Sequence, residues 1–238
     1  MAAIGESKAR KTMSAPRVLH IERKQTKYIA RVSRGPHTAE TSIPLVVAIR
    51  NNLKLADNAK EVRAMLNEGK VLVDGKINKD LNFPLGFMDV LAFPSVNKYY
   101  RIRFDDKGRL VPKEIDAKTS TFKLCRIQNR TVIKGGKIQL NLHDGKNILY
   151  DKKVATGDVL KLELPSLHVL EYYPMTEGSV AYVTGGKHAG QVARIKNITT
   201  GTMMRKPLAL LDKGDSAFET RKDYVFVLGV KEPAIKID

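Results

Sequence analysis

The spacing of apolar residues changes once along the chain, and this change sets the class of fold. Between residues 42 and 69, apolar residues recur three and four positions apart, which is the spacing of a helix face. From Tyr100 onward they alternate with polar residues, which is the spacing of a β-strand. Because the helical part is much the shorter of the two, the sequence predicts an α+β fold that is mostly β.

Helix-start signals place the first of two helices. Ser42 can cap a helix, and Pro44 suits its first turn. Arg50 and Lys54 then share the polar face, which predicts two cations on the outside of this helix. The apolar residues of the opposite face are Leu45, Val46, Ile49 and Leu53.

A second helix and a hairpin follow the first helix. Asn58, with Glu61 three positions later, forms a capping-box pattern, and Gly69 is a typical helix end. Asp74-Gly75 between apolar residues predicts a two-residue hairpin turn. The cations on the outside of this helix and hairpin are Lys60, Arg63 and Lys76.

Short strands at close turn spacing occupy the centre of the chain. Leu160, Leu162 and Leu164 form an inward row, and Gly135-Gly136 and Asp144-Gly145 mark turns. This pattern predicts a small barrel or sandwich. Cations beside Tyr99 and Tyr100 suit a surface for phosphates and bases. These cations are Arg101, Arg103, Lys107, Arg109, Lys123, Arg126, Arg130, Lys134 and Lys137.

Positive charge is in large excess and is concentrated near the N-terminus. The 238 residues contain 42 Lys and Arg against 25 Asp and Glu, a formal net charge of +17. Nine of these cations lie within the first 36 residues, against two glutamates. Like charges in such excess repel one another unless a polyanion neutralises them. The segment lacks a sustained apolar pattern, so we expect an extended basic arm that binds nucleic acid.

The sequence lacks the residues that several other classes of protein need. Cys125 is the single cysteine, so no internal disulfide forms, and a reducing intracellular compartment fits. The five histidines are dispersed without metal-ligand spacing, and Gly185-Gly186-Lys187 lacks the rest of a phosphate-binding loop. The sequence has neither a run of about 18 apolar residues nor a signal peptide. We therefore expect no metal, no cofactor and no membrane association.

The helix–helix–hairpin unit resembles the alpha-L type RNA-binding motif, in which paired helices face RNA. Members often carry Arg directly after the helix cap, whereas Ala59 stands here, so contact would come from Lys60 and Arg50. The alternative, that these cations and Lys54 are only a solvated helix face, stays open. The positions that carry the resemblance are Asn58, Lys60, Glu61, Val62, Leu66, Gly69, Val71, Val73, Asp74 and Gly75.

The segment from Gly178 to Ile195 resembles a KOW motif, which is one hairpin of a small SH3-like barrel. Its glycines permit a tight loop that brings backbone N–H groups, Lys187 and His188 close to a ligand. A strand over residues 224–228 should close the barrel. The side chains expected to point inward are Val180, Tyr182 and Val192.

Ordered recurrence of many such segments makes the whole chain resemble the archaeal and eukaryotic small-subunit ribosomal protein S-four-e family, and its short C-terminus resembles the archaeal form. The further segments are Gly35-Pro36-His37, residues 83–90, residues 105–109, Lys123-Leu124-Cys125, His143-Asp144-Gly145 and residues 217–221. The resemblance implies four domains: a basic arm (1–40), an alpha-L domain (41–98), a central β domain (99–172) and a KOW domain (173–238).

The resemblance further implies a structural component of the cytoplasmic ribosome. It would bind small-subunit ribosomal RNA, meet neighbouring small-subunit proteins, take part in translation, have no catalytic site and not form a homo-oligomer. The candidate RNA-binding residues are Lys8, Arg10, Lys11, Arg17, Arg23, Lys24, Lys27, Arg31, Arg34, His37, Arg50, Lys54, Lys60, Arg63, Lys76, Arg101, Arg103, Arg109, Arg126, Arg130, Lys187 and His188.

Two other classes of protein stay open. A KOW-containing transcription or translation factor would bind a protein partner as well as RNA. An RNA-modifying enzyme is the third class, because pseudouridine synthases also carry the alpha-L motif and have a catalytic loop resembling Gly-Arg-Leu-Asp. Gly108-Arg109-Leu110-Val111 ends in valine, which cannot supply the carboxylate nucleophile.

Overall fold

The chain divides into two compact units. The computed structural model describes residues 9–150, 152–202, 205–214 and 216–235. Residues 1–103 and 109–120 form the first unit, and residues 104–108 and 121–238 form the second. Strands predominate in the described chain, above all in the second unit, so the predicted class, mostly-β α+β, is confirmed. No helix within the described ranges is long and apolar enough to cross a membrane.

The first unit is built around a five-stranded sheet with the strand order β5-β4-β7-β8-β9, and two further strand pairs are β1-β2 and β3-β6. The strands are β1 (Arg10–Lys11), β2 (Tyr28–Ile29), β3 (Ile43–Pro44), β4 (Leu72–Val73), β5 (Lys76–Ile77), β6 (Pro84–Leu85), β7 (Val90–Phe93), β8 (Lys98–Phe104) and β9 (Leu110–Ile115). The helices are α1 (Leu45–Val47), α2 (Ala59–Asn67) and α3 (Ala117–Ser120).

The N-terminal segment differs from the extended arm that its composition predicts. β1 pairs with β2 in antiparallel register, and the Leu110 backbone N–H donates to the Val18 carbonyl at 2.8 Å. Ala15 and Leu19 are buried. Burial of these two apolar side chains anchors the segment to the first unit, so its cations lie on a folded surface.

The first helix is shorter than its spacing predicts. After α1 the chain widens into a π-helical turn over Ala48–Asn52, in which the Leu53 N–H donates to the Ala48 carbonyl at 3.0 Å. Lys54 has a φ of 53°, in the left-handed region, so it lies beyond the helix. The prediction that Arg50 and Lys54 share one helix face is therefore wrong, because the wider turn breaks the helical spacing.

The second helix and the hairpin are confirmed. Asn58 caps α2, and the Glu61 carboxylate accepts the backbone N–H of Asp57 at 2.8 Å and that of Asn58 at 3.4 Å. These hydrogen bonds lower the pKa of Glu61. β4 and β5 form the hairpin, and both turn residues of Asp74-Gly75 have positive φ, as this turn requires.

A buried polar contact fixes the chain that follows the N-terminal segment. His37 Nε2 lies 3.1 Å from Asp89 Oδ2, and the two side chains are only 5% and 2% exposed. The same oxygen accepts the Gly86 backbone N–H at 2.7 Å. A Cβ at Gly86 would lie 2.3 Å from the His37 ring, so this position has no room for a side chain.

The second unit contains two five-stranded sheets, with orders β12-β11-β10-β13-β14 and β18-β17-β16-β15-β19. The strands of the first sheet are β10 (Phe122–Val132), β11 (Ile138–Leu142), β12 (Asn147–Leu149), β13 (Val159–Glu163) and β14 (Val169–Tyr173). Those of the second sheet are β15 (Val180–Val183), β16 (Val192–Thr199), β17 (Leu208–Asp212), β18 (Ala217–Arg221) and β19 (Val225–Gly229).

Strand β10 organises the first of these sheets. Its first half pairs with β13 and its second half with β11, and a register shift separates Ile127 from Asn129. The inward row of leucines is confirmed, since Leu160 and Leu162 are 0% exposed. They pack in one core with Cys125, Ile127, Leu140, Leu142 and Val154.

An ion pair lies inside this unit. Lys123 Nζ is 3.0 Å from Asp144 Oδ2, and the side chains are 1% and 0% exposed. Lys146 Nζ approaches the same oxygen at 3.4 Å. Burial alone would raise the pKa of Asp144, but Lys123, Lys146 and His143 together hold it well below its usual range. Lys123, which the sequence analysis placed among surface cations, instead neutralises a buried carboxylate.

The second sheet contains a hairpin within the segment from Gly178 to Ile195. β15 pairs with β16 in antiparallel register, and β19 pairs with the other edge of β15. Val180 and Tyr182 are buried, as expected, whereas Val192 is only half-buried. The Tyr182 hydroxyl donates to the Phe104 carbonyl at 2.6 Å, which gives this buried phenol its partner.

We predict that Lys123→Met lowers the free energy of unfolding by about 3 kcal/mol, because it leaves the Asp144 carboxylate buried without its nearest cation. Urea unfolding at neutral pH measures the change. The matched double variant Lys123→Met/Asp144→Leu should recover most of this loss, since it buries no charge. A double variant as unstable as the single one would contradict the ion-pair explanation.

The same pair predicts a pH dependence. The pKa of Asp144 is lower in the folded state than in the unfolded state, where it is about 4. The ionised carboxylate therefore stabilises the folded state fully above about pH 4, and this stabilisation is lost progressively as the pH falls from there toward the folded-state pKa. Unfolding free energies measured from neutral pH downward should therefore decline less steeply in the Lys123→Met/Asp144→Leu variant than in the wild type. Equal declines would show that Asp144 does not contribute.

We predict that Gly86→Ala destabilises the first unit by about 2 kcal/mol, because the new methyl group overlaps the buried His37 ring. Thermal unfolding measures the loss. Gly135→Ala adds a Cβ with no heavy atom within 4 Å but at a φ of 86°, so it measures the cost of a left-handed backbone without a clash. If Gly86→Ala left the thermal unfolding unchanged, the close packing at His37 would not matter.

Candidate nucleic-acid interface

Most of the predicted contact residues of the first unit lie on its surface. Lys8 lies outside the described residues. The exposed cations belong to the N-terminal segment, the helical region and the hairpin. The elements that position them are β1, β2, α2 and β5. The exposed candidates are Lys11, Arg17, Lys24, Lys27, Arg34, Lys54, Lys60, Arg63 and Lys76, and the half-buried ones are Arg10, Arg23, Arg31, Arg50 and Arg109.

A cavity of about 810 Å³ brings together candidates that are far apart in the sequence. Arg50 lines it from the π-helical turn, Lys54 from the chain just after that turn, and Arg109 from the residue before β9. The folded N-terminal segment supplies another wall. The further polar lining residues are His20, Glu22, Gln25, Thr26, Asn51, Asn52 and Asp57. Cations beside amide and hydroxyl groups can bind phosphate and base or ribose groups at the same time.

Sequence reasoning did not identify Gln25, Thr26 and Asn51 as part of this site. Gln25 and Thr26 belong to the segment expected to be extended, so only the fold places them beside the π-helical turn. Asn51 accepts the Arg50 Nε–H at 3.0 Å and thereby orients that guanidinium. No local signal in the sequence predicts that Gln25 and Thr26 lie beside Arg50, because their position depends on the anchoring of the N-terminal segment through Leu19.

Arg101 and Arg103 do not belong to an exposed surface. Arg101 is 0% exposed, and its Nη2 donates to the Thr119 carbonyl at 2.6 Å. Arg103 is 7% exposed. Both lie in β8, inside the sheet of the first unit, so we correct their assignment: neither guanidinium is placed where it can contact RNA, and Arg101 links β8 to the end of α3.

His37 and Arg23 also have partners within the fold. The His37 ring is buried against Asp89, which leaves it no surface for a nucleic acid. The Arg23 guanidinium donates to the carbonyl of Met13 at 3.1 Å and to that of Pro16 at 3.4 Å. The two Arg23 contacts hold the N-terminal segment in shape, and contact of this half-buried residue with RNA stays a prediction. His37 supports the candidate surface from inside the fold.

The candidate residues of the second unit fall into two groups: two arginines that donate to backbone carbonyls, and two residues on the loop between β15 and β16. Arg126 donates to the Asp223 carbonyl at 2.5 Å, and burial of its guanidinium lowers its pKa. Arg130 donates to the Val154 carbonyl at 3.2 Å. Lys187 is exposed on the loop between β15 and β16, and the His188 ring stacks on Phe218 at a centroid distance of 4.1 Å.

The loop that carries Lys187 depends on its glycines. A Cβ at Gly185 would lie 3.0 Å from the Tyr224 ring, and one at Gly190 would lie 2.9 Å from the backbone of Asp105. Gly186, between them, has a φ of 87°. Close packing therefore explains Gly185 and Gly190, and the left-handed backbone explains Gly186, while Lys187 extends from the loop into solvent.

Within the described residues, no group of three or more His, Cys, Asp and Glu side chains could hold a metal ion. The candidate site instead gathers three cations beside uncharged hydrogen-bonding groups and two carboxylates, those of Glu22 and Asp57. Such a surface attracts polyanions and offers them hydrogen bonds.

Comparison with known proteins agrees with this surface chemistry. Residues 43–91 match the S4 domain, and residues 96–169 match the ribosomal family S4e. The small ribosomal subunit protein eS4 of Methanothermobacter thermautotrophicus is 43% identical over 238 residues, which cover 100% of this chain and 98% of the relative. The protein of the same name from Archaeoglobus fulgidus is 41% identical over 222 residues, 93% of each chain.

A solved structure is similar as well. The crystal structure of the 30S ribosomal protein S4e from Thermoplasma acidophilum superimposes with a TM-score of 0.70 at 34% sequence identity. The match covers 79% of this chain and 95% of that chain. The chain therefore belongs to the small ribosomal subunit protein eS4 family, because it shares sequence identity over its full length, both matched domains and the fold with members of that family.

Proposed function

We propose that this protein is a structural constituent of the small ribosomal subunit, where it binds ribosomal RNA and takes part in translation. The observation that carries the proposal is the cavity of the first unit, in which Arg50, Lys54 and Arg109 lie beside amide and hydroxyl groups. These three cations outnumber the two carboxylates of the lining, Glu22 and Asp57. The names of the full-length relatives support the ribosomal assignment. A rigid surface of this kind would bind folded RNA by charge and shape more than by base sequence.

The S4 domain would act as the alpha-L module that the sequence indicated. α2 presents Lys60 and Arg63 to solvent, and the hairpin presents Lys76. Ala59, which replaces the arginine common after the helix cap, is half-buried and leaves this contact to Lys60. The RNA-facing surface would therefore run from the cavity along the outer side of α2.

The second unit would supply further contacts through a KOW-type SH3-like barrel. The pairing of β15 with both β16 and β19 and the glycine-dependent loop at Lys187 support this assignment. Lys187 and the stacked His188 are its candidate contacts. Residues 1–40, 41–98, 99–172 and 173–238 remain our proposed domains. The third is divided between the two compact units, since its residues 99–103 and 109–120 belong to the first.

The protein would act as a single copy among neighbouring small-subunit proteins in the cytoplasmic ribosome, without catalytic activity. Its family is a ribosomal structural one. At the position where the pseudouridine synthase loop carries its nucleophile this chain has Val111, so the enzymatic alternative has no carboxylate at that position.

The N-terminal cations predict a steep salt dependence. Replacing exposed Lys11, Lys24 and Lys27 with Gln removes three charges without disturbing the buried anchors Ala15 and Leu19. The slope of log affinity for small-subunit ribosomal RNA against log salt should become less steep by about two to three. Filter binding over a salt series measures the slope.

The matched control for this variant replaces Lys196, Lys213 and Lys231, which are exposed in the second unit and outside the proposed contacts. Its slope should stay close to that of the wild type. An unchanged slope in the N-terminal variant, or an equal change in the control, would refute the role of the N-terminal cations.

The cavity makes a second prediction. The variant Arg50→Gln/Lys54→Gln should bind small-subunit ribosomal RNA about tenfold more weakly at constant salt, since each cation that contacts a phosphate contributes a charge-assisted hydrogen bond. The control Lys79→Gln/Lys113→Gln removes two exposed cations of the same unit that do not line the cavity. Equal weakening in both variants would show that net charge alone matters.

A further inference from the structure

We propose that the second unit carries an additional RNA-binding surface, the exposed face of strands β10, β11 and β12, and that this face binds the minor groove of a double-stranded RNA segment. The inference rests on the proposed function, because it names a second contact for the same class of ligand. Its residues were not among the candidates found from the sequence, and they are uncharged.

The register of the three strands defines this face. Asn129 is paired with Asn141, and Asn141 with Asn147 on the next strand. One step along, Thr131 is paired with Gln139, and Gln139 with Leu149. Paired residues in antiparallel strands point to the same side of a sheet. The Thr131 hydroxyl lies 3.4 Å from Asn141 Oδ1, which places both side chains on the same side. We call these six residues the amide face.

The opposite side of the same strands is the packed one. Leu140 and Leu142 are buried there with the core of the unit, and Ile138 and Ile148 pack against it. Arg130 also points that way, since it donates to the Val154 carbonyl. The alternation along β10 and β11 therefore separates an apolar inner side from an outer side of three asparagines, a glutamine, a threonine and a leucine.

The chemistry of the amide face suits ribose and base edges. Asn and Gln side chains each offer two donors and an acceptor carbonyl, and Thr offers a hydroxyl. The minor groove of RNA displays 2′-hydroxyl groups, which both donate and accept. Leu149, which is 55% exposed, adds apolar surface on the edge strand β12. Uncharged groups of this kind bind sugar and base edges, whereas phosphates need the cations that surround them.

The surrounding charge favours a polyanion over a protein surface of mixed charge. From Phe122 to His143 the sequence contains no Asp or Glu. Lys134 and Lys137 are exposed in the turn between β10 and β11, and Lys152 and Lys153 are exposed after β12. Asp144, the next acidic residue, is buried and paired with Lys123. Among the described side chains of residues 122–150, the exposed charge is thus entirely positive.

Shape selects the minor groove among the surfaces of RNA. Three adjacent strands span about 10 Å, so the amide face is an open patch of a sheet surface about 10 Å wide. The major groove of A-form RNA is too deep and narrow for a sheet, whereas the minor groove is wide and shallow. Single-stranded RNA is bound mainly by stacking on aromatic rings, and the amide face has no aromatic residue.

The test uses the full chain and isosteric substitutions. Asn129→Asp/Asn147→Asp keeps the shape of the face but adds two negative charges where phosphates would approach. Asn97→Asp/Asn197→Asp is the matched control, since both asparagines are exposed and lie outside the amide face and outside α2. The probes are an RNA duplex of roughly 16 base pairs, about the length that a double-stranded RNA-binding domain spans, and a DNA duplex of the same sequence. Equal unfolding free energies establish that all variants fold.

We expect the wild type to bind the RNA duplex more tightly than the DNA duplex, because only RNA has 2′-hydroxyls. The amide-face variant should bind the RNA duplex about tenfold more weakly and lose this preference, while the control stays within about twofold of the wild type. Hydroxyl-radical footprints on small-subunit ribosomal RNA should show protected riboses in a paired region that only the amide-face variant loses.

Other outcomes overturn the proposal and separate it from the ribosomal function. If the wild type binds small-subunit ribosomal RNA but the amide-face variant has the same affinity and footprint, the amide face is not an RNA surface. If that variant binds RNA normally but fails to enter small subunits in cells, the face contacts a protein. If the wild type does not bind the ribosomal RNA at all, the proposed function itself fails.

Discussion

Electrostatic self-repulsion is the constraint on which the rest of this structure depends. A net charge of +17 on 238 residues disfavours a compact state unless the surplus is kept apart or neutralised. The chain meets this constraint in two ways. It turns some cations inward onto carbonyls and one carboxylate, and it keeps the others exposed, where a polyanion would complete the neutralisation.

The inward cations join elements of the fold. Lys123 neutralises Asp144 inside the second unit, Arg101 joins β8 to the end of α3, and Arg126 reaches the carbonyl of Asp223 across the second unit. A buried charge is tolerated only where it is paired and hydrogen-bonded. These residues therefore belong to the architecture of the protein, although their residue type alone suggested nucleic-acid contacts.

The exposed groups form surfaces of different chemistry. The cavity of the first unit combines cations with amide groups, and the amide face of the second unit is uncharged with cations near it. Phosphate contacts fix the position of an RNA, and uncharged side chains bind the 2′-hydroxyls and base edges in its minor groove. A ribosomal component that uses both would recognise folded RNA by shape, which is consistent with its membership of the eS4 family.

Local sequence signals determined the fold class, the second helix, the hairpin turn at Asp74-Gly75 and the inward row at Leu160 and Leu162, because each depends on neighbouring residues and on apolar spacing. Charge and the family resemblance led to the class of partner. Only the tertiary structure decided which cations are exposed. The folding of the N-terminal segment onto Leu19, the π-helical turn before Lys54 and the burial of Arg101 and His37 depend on partners distant in the sequence. The spacing of a lysine or arginine along the chain carries no record of such a partner.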